Sequence, residues 1–103
     1  MIEIKMENPK ELANPYGPYT HMARLKNYHE LVFVAGQLSV DKEGNIVGKN
    51  DFAQQCAQVY ENVGTALRGI GADYSNIVQF TTYLVSAEYI PLIYDWRKRE
   101  FPN

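Results

Sequence analysis

The 103-residue sequence predicts an α+β fold, an antiparallel-rich sheet carrying two helices on one face. Three observations carry this reading. A valine-rich apolar run from Leu31 to Val40 reads as a central strand. An apolar 3.6-residue period from Phe52 to Ile70 reads as an amphipathic helix. A second β-branched and aromatic run, Ile77 to Val85, reads as a further strand.

The elements follow in order. Ile2, Ile4 and Met6 alternate with Glu3 and Lys5, the pattern of a short strand with one buried face. Asn8-Pro9, Asn14-Pro15 and Gly17-Pro18 make residues 8–18 a loop. Met22 to Lys26 reads as a second strand, and Asn27 to Glu30 as the turn into the central one, completing a three-strand meander. In that central strand Leu31, Phe33 and Ala35 fall on one face and Val32 and Val34 on the other, so both faces are expected to be buried. Gly36 interrupts it, as glycine does at a bulge or where a ligand or backbone comes close. Asp41 to Asn45 is a polar turn, with Ile46 to Gly48 pairing briefly beyond it.

Asp51 suits the N-cap of the first helix, with Gln54 placed to reach back as in a capping box. Phe52, Cys56, Val59, Val63, Ala66, Leu67 and Ile70 form its apolar face. Gly69 and Gly71 stop it, and Arg68 suits the helix dipole in the last turn. Pro91 is tolerated only in a first turn, so the second helix starts just before it, with Tyr89, Leu92, Ile93, Trp96 and Phe101 as its apolar stripe. The order is β-β-β-α-β-α. Two helices leave the second face of such a sheet uncovered, to be wetted or buried in an oligomer.

Composition narrows the function classes. A charged fraction of 21% and an apolar fraction of 46% describe an ordinary globular domain, and the length allows one domain. With a net charge of −2 there is no positive field to attract nucleic acid or anionic lipid. Arg97-Lys98-Arg99 is the one dense basic run, and three charges on a helix make a solvated face. The single cysteine, Cys56, excludes an internal disulfide and falls on the buried helix face as a small core residue. No run reaches membrane-spanning length and the N-terminus has no signal-peptide core, so a cytoplasmic protein is expected. His21 and His29 lack metal-ligand spacing, so no metal is expected. No phosphate loop or dinucleotide fingerprint is present.

The ordered motifs go further than composition. Gly17-Pro18-Tyr19-Thr20, followed by Val32-Phe33-Val34-Ala35-Gly36-Gln37, resembles the RidA (YjgF) family of reactive-intermediate deaminases, also called the endoribonuclease L-PSP family. Asp51 to Leu67 resembles its first helix, Gly71-Ala72-Asp73 its turn, Val78 to Leu84 its next strand and Tyr89 to Phe101 its second helix. The resemblance implies a chorismate-mutase-like sandwich that assembles as a homotrimer, with ligand sites between subunits. It implies hydrolysis of 2-imino or enamine acids to 2-keto acids and ammonia, without a cofactor. The imine carbon is already electrophilic, so the protein has only to hold the carboxylate and position a water.

On this resemblance Tyr19 is the cleft tyrosine, the catalytic candidate, and Ala35 and Gly36 match a Ser-Gly pair whose backbone approaches the ligand. Ala35 removes the serine hydroxyl but keeps the N–H. Ile93 stands where many members have asparagine. The family's carboxylate-clamping arginine, its water-handling glutamate and its last two strands would lie after Asn103. Either the chain continues or this is a divergent member, which intact mass distinguishes. Two functions therefore stay open: an imine deaminase, or a trimeric module that binds a keto acid or carbonyl metabolite without turnover. A ribonuclease reading has little support in an acidic chain without a basic groove.

Overall fold

Alternating apolar and charged residues on either side of the first loop close an antiparallel ribbon. In the computed structural model, which describes residues 2–17 and 19–100, β1 (Glu3–Glu7) pairs with β2 (Met22–Lys26). Pro18 of the tyrosine motif and the closing Phe101-Pro102-Asn103 lie outside the described residues. The register sets Ile4 opposite Leu25 and Met6 opposite Ala23, so the apolar residues share one face. On the other face Lys5 lies directly opposite Arg24, a repulsive pairing. Glu7 offsets it by accepting Arg24 at 2.9 Å and Lys5 at 3.4 Å. Asn27 then takes a left-handed turn at φ 60, where asparagine is tolerated.

The chain forms two compact units. One comprises Met1–Phe33 with Tyr94–Asn103, and the other comprises Val34–Ile93.

The second unit is built on α1 (Phe52–Arg68). The Asp51 carboxylate accepts the Gln54 N–H at 3.1 Å, the expected N-cap. The reciprocal half of the expected capping box is replaced. The Asp51 N–H donates to the Gly48 carbonyl at 2.9 Å, and the Gln55 side chain donates to the same oxygen at 2.8 Å. A complete capping box forms instead at Asp73 and Asn76, around the short 3₁₀ helix Tyr74–Asn76.

The most buried stripe of α1 is Cys56, Tyr60, Gly64 and Leu67. Val59 and Val63 are half-buried, whereas Ala66 and Ile70, expected on the apolar face, are exposed. The stripe turns towards Gly64 because Tyr74 packs there. A Cβ on Gly64 would lie 2.9 Å from the Tyr74 hydroxyl, which donates to the Tyr60 carbonyl at 2.6 Å. The helix ends as expected at its glycines. Gly71, at φ +74, donates to the Arg68 carbonyl, and the Ala72 N–H reaches the Leu67 carbonyl at 2.9 Å, closing a Schellman motif.

Two expected strands are not formed. Neither Leu31 to Leu38 nor Ile77 to Val85 lies in a ladder, and the only sheet among the described residues is the β1–β2 pair. The expected burial of Leu31, Val32, Phe33, Val34 and Ala35 fails with it, Phe33 being 88% exposed. A strand face is buried only when neighbouring strands and a covering layer are supplied, and side-chain pattern provides neither. What pairs locally is the turn. Val40 bridges Ile46, Ser39 and Val47 exchange bonds, and the Asp41 carboxylate accepts the Glu43 and Asn45 N–H groups.

After a 3₁₀ turn at Ala87–Tyr89, capped by Ser86, α2 runs Ile90–Glu100 with Pro91 in its first turn. Tyr89 stacks on Phe52 with ring centroids 4.3 Å apart. Ile93 is buried and Trp96 half-buried, as the stripe predicts, while Leu92 is exposed. Lys98 and Arg99 are solvated; Arg97 is half-buried with its guanidinium over the Tyr94 ring. No described helix is long and apolar enough to cross a membrane.

Two measurements check this account. Apart from its chain neighbours, no described atom lies within 4 Å of a Cβ placed on Gly71, so Gly71→Ala costs its left-handed backbone, about 1 kcal/mol by denaturant unfolding. An unchanged midpoint would contradict the turn. The Ser75 hydroxyl and then the Ser75 N–H hold the Asp73 carboxyl below its ordinary value of 3.8, with desolvation opposing weakly. The ionised form is the one stabilised, so this contribution is present above 3.8 and is lost as pH falls through the folded midpoint. An NMR titration is expected to place Asp73 below 3.8, and Ser75→Ala to raise it.

Candidate functional site

The loop that presents Tyr19 is folded back on the ribbon at two points. The His21 N–H donates to Asn8 Oδ1 at 2.7 Å, joining the residue just after β1 to the residue just before β2. His21 Nε2 lies 2.7 Å from the Ala13 carbonyl, inside the loop. A carbonyl can only accept, so this nitrogen carries the hydrogen. Thr20 Oγ1 donates to the Met22 carbonyl at 3.1 Å. Within this frame the Tyr19 N–H turns back to the Gly17 carbonyl at 2.8 Å. Tyr19 remains 47% exposed, its ring edge-to-face with His21 at 6.1 Å. Gly17 is needed where it stands: a Cβ there would lie 3.1 Å from the Tyr94 ring.

Ala35 and Gly36 belong to the other unit. The Ala35 carbonyl accepts the Gln37 side-chain amide at 3.1 Å. Apart from its chain neighbours, no described atom lies within 4 Å of the place a Gly36 Cβ would take, so no other described residue supplies the expected close approach. The segment just after it is anchored by α1 instead of by a strand. Asn62 Nδ2 donates to the Leu38 carbonyl at 2.9 Å and the Val40 carbonyl at 3.0 Å, and Gln58 orients Asn62 through its Oδ1 at 2.8 Å. Gln58 and Asn62 lie outside the apolar period that predicts this helix. Their i, i+4 spacing was the available sign that they act together.

The remaining candidates are simpler. Cys56 is a buried cysteine on the helix stripe. Among the described residues no group of three or more His, Cys, Asp or Glu side chains could hold a metal ion. Ile93, at 4% exposure, is a core residue of its unit.

Comparison with known proteins assigns the chain to one family. Residues 10–102 match the family described as Endoribonuclease L-PSP. A RutC family protein of Pyrococcus abyssi is 36% identical over 75 residues, 73% of this chain and 57% of that protein. The chloroplastic Reactive Intermediate Deaminase A of Arabidopsis thaliana is 30% identical over 84% of this chain and 44% of its own length. A 2-iminobutanoate/2-iminopropanoate deaminase of Bos taurus is 25% identical over 84% of this chain and 61% of its own. The chain belongs to the RidA (YjgF), or endoribonuclease L-PSP, family. It spans roughly half the length of the first of these curated relatives. No solved structure matches it.

The clasp on the tyrosine loop is directly testable. In Asn8→Ala the His21 amide loses its acceptor, and its hydrogen exchange is expected to rise about tenfold. Unchanged protection would remove Asn8 from the clasp.

Proposed function

We propose that this chain belongs to a protein that hydrolyses reactive 2-imino and enamine acids. Water adds to the imine carbon, the C–N bond breaks, and a 2-keto acid and ammonia leave. The observation that carries this reading is the match to imine deaminases across 84% of the chain. Tyr19 lines the cleft as the catalytic candidate, and the Ala35-Gly36 backbone borders the substrate. The clasped loop supports this role for Tyr19, because it presents an exposed ring from a held backbone. No cofactor enters, since the substrate carbon is electrophilic on its own.

The fold completed in this reading is a chorismate-mutase-like sandwich, and three copies bring their sheets together. In the second unit Tyr83 is 92% and Val85 98% exposed, an apolar surface that suits burial by another subunit. The site then lies between subunits, and the sedimentation coefficient of the full protein is expected to be that of a trimer. A stable monomer would contradict both the assembly and the intersubunit site.

A second reading is favoured by Ile93. Many members carry asparagine at that position, whereas here an aliphatic side chain is buried. In that reading the cleft holds a keto acid without turnover, and calorimetry detects 2-oxobutanoate binding in a protein that clears no imine.

The deciding assay generates imines with an amino-acid oxidase and traps them with semicarbazide. The full protein is expected to lower the trapped product, and Tyr19→Ala to reduce kcat/KM about tenfold or more. Undiminished trapping would sink the deaminase reading.

A further inference from the structure

We infer that His21 is the positioning residue for Tyr19, fixing the ring that faces the substrate. The inference rests on the proposed role of Tyr19 in the cleft. It starts from a physical difficulty: an exposed tyrosine has several rotamers, and a ring that must meet a small ligand loses affinity to that freedom. Tyr19 is exposed, and among the described residues its hydroxyl makes a long, 3.4 Å contact with the Tyr16 N–H. Its backbone is turned towards Gly17. Neither feature sets the ring plane.

His21 does. His21 stands two residues after Tyr19, and the two rings come together. They meet edge-to-face, at 89° and 6.1 Å between centroids. This is the arrangement favoured by the ring quadrupoles, with the positive edge of one ring against the face of the other. His21 is itself immobilised from two directions. Its backbone is bound to Asn8 and its Nε2 to the Ala13 carbonyl, each at 2.7 Å. These partners lie at different points of the same loop, so the imidazole orientation reports the closed state of that loop. The Nε2 hydrogen points to Ala13, which leaves Nδ1 as the ring's second polar atom. His21 therefore converts loop closure into a fixed tyrosine ring. A glutamine could keep the hydrogen bond to Ala13 but would not supply a ring to Tyr19.

The test is a double-substitution cycle in the full protein, reading imine clearance and 2-oxobutanoate binding. His21→Ala is expected to lower kcat/KM about tenfold, chiefly by raising KM, and to have no further effect in a Tyr19→Ala background. His21→Gln is expected to restore loop protection in hydrogen exchange but not KM. Equal losses from His21→Ala with and without Tyr19, or full recovery of KM in His21→Gln, would overturn the inference. If the wild-type protein neither clears imine nor binds 2-oxobutanoate, the functional reading fails. The positioning claim is then decided by NMR. It stands if nuclear Overhauser effects join the two rings and the Tyr19 ring signals collapse towards free-tyrosine shifts in His21→Ala, and it falls if they do not.

Discussion

The approach of Tyr74 to α1 organises the second unit. Its hydroxyl reaches the Tyr60 carbonyl only because Gly64, one turn further on, has no side chain in the way. That contact pins the turn after the helix against the helix itself. Tyr60 also meets Phe80 edge-to-face at 6.3 Å, which attaches the segment after the turn to the same stripe. At the helix start Phe52 stacks on Tyr89, and on its flank Asn62 holds the Leu38 and Val40 carbonyls. Several irregular segments of this unit are thus held against α1 by its side chains or its backbone. Buried area and a few directed hydrogen bonds take the place that a continuous ladder would fill.

The first unit solves a different problem. Its ribbon has too little apolar surface to be stable through burial alone, as two-stranded ribbons usually are. It closes its loop with polar contacts at both ends. Glu7 relieves the Lys5–Arg24 repulsion, although exposed ion pairs contribute little. Asn8 and His21 tie the loop ends together, and the tyrosine is presented from that tie. What closes this loop also holds Tyr19.

Much of this was legible in residue patterns. Alternation located β1 and β2 correctly, and periodicity with Asp51 and the glycine stop located α1. Pro91 placed the start of α2. The motif tyrosine was visible only through resemblance, whereas Gly36 also stood out as a glycine interrupting an apolar run. The contacts of Asn8, His21, Gln58 and Asn62 were not legible because each acts on a backbone group 8 to 24 residues away or orients a side chain that does. Polar residues in loops and on helix flanks carry no periodic signature.

The sequence by itself determined the local elements, whose hydrogen bonds close within a few residues and depend on propensity, caps and turns. It also determined the family, through the order of its motifs. Tertiary structure decided which face of α1 is buried, because Gly64 admits Tyr74 and thereby turns the stripe away from Ala66 and Ile70. It also decided the state of Leu31 to Leu38 and of Ile77 to Val85. Both runs have strand-forming side chains, yet a strand is a property of a pair, and its backbone bonds and covered faces must come from somewhere else in the molecule or its partners.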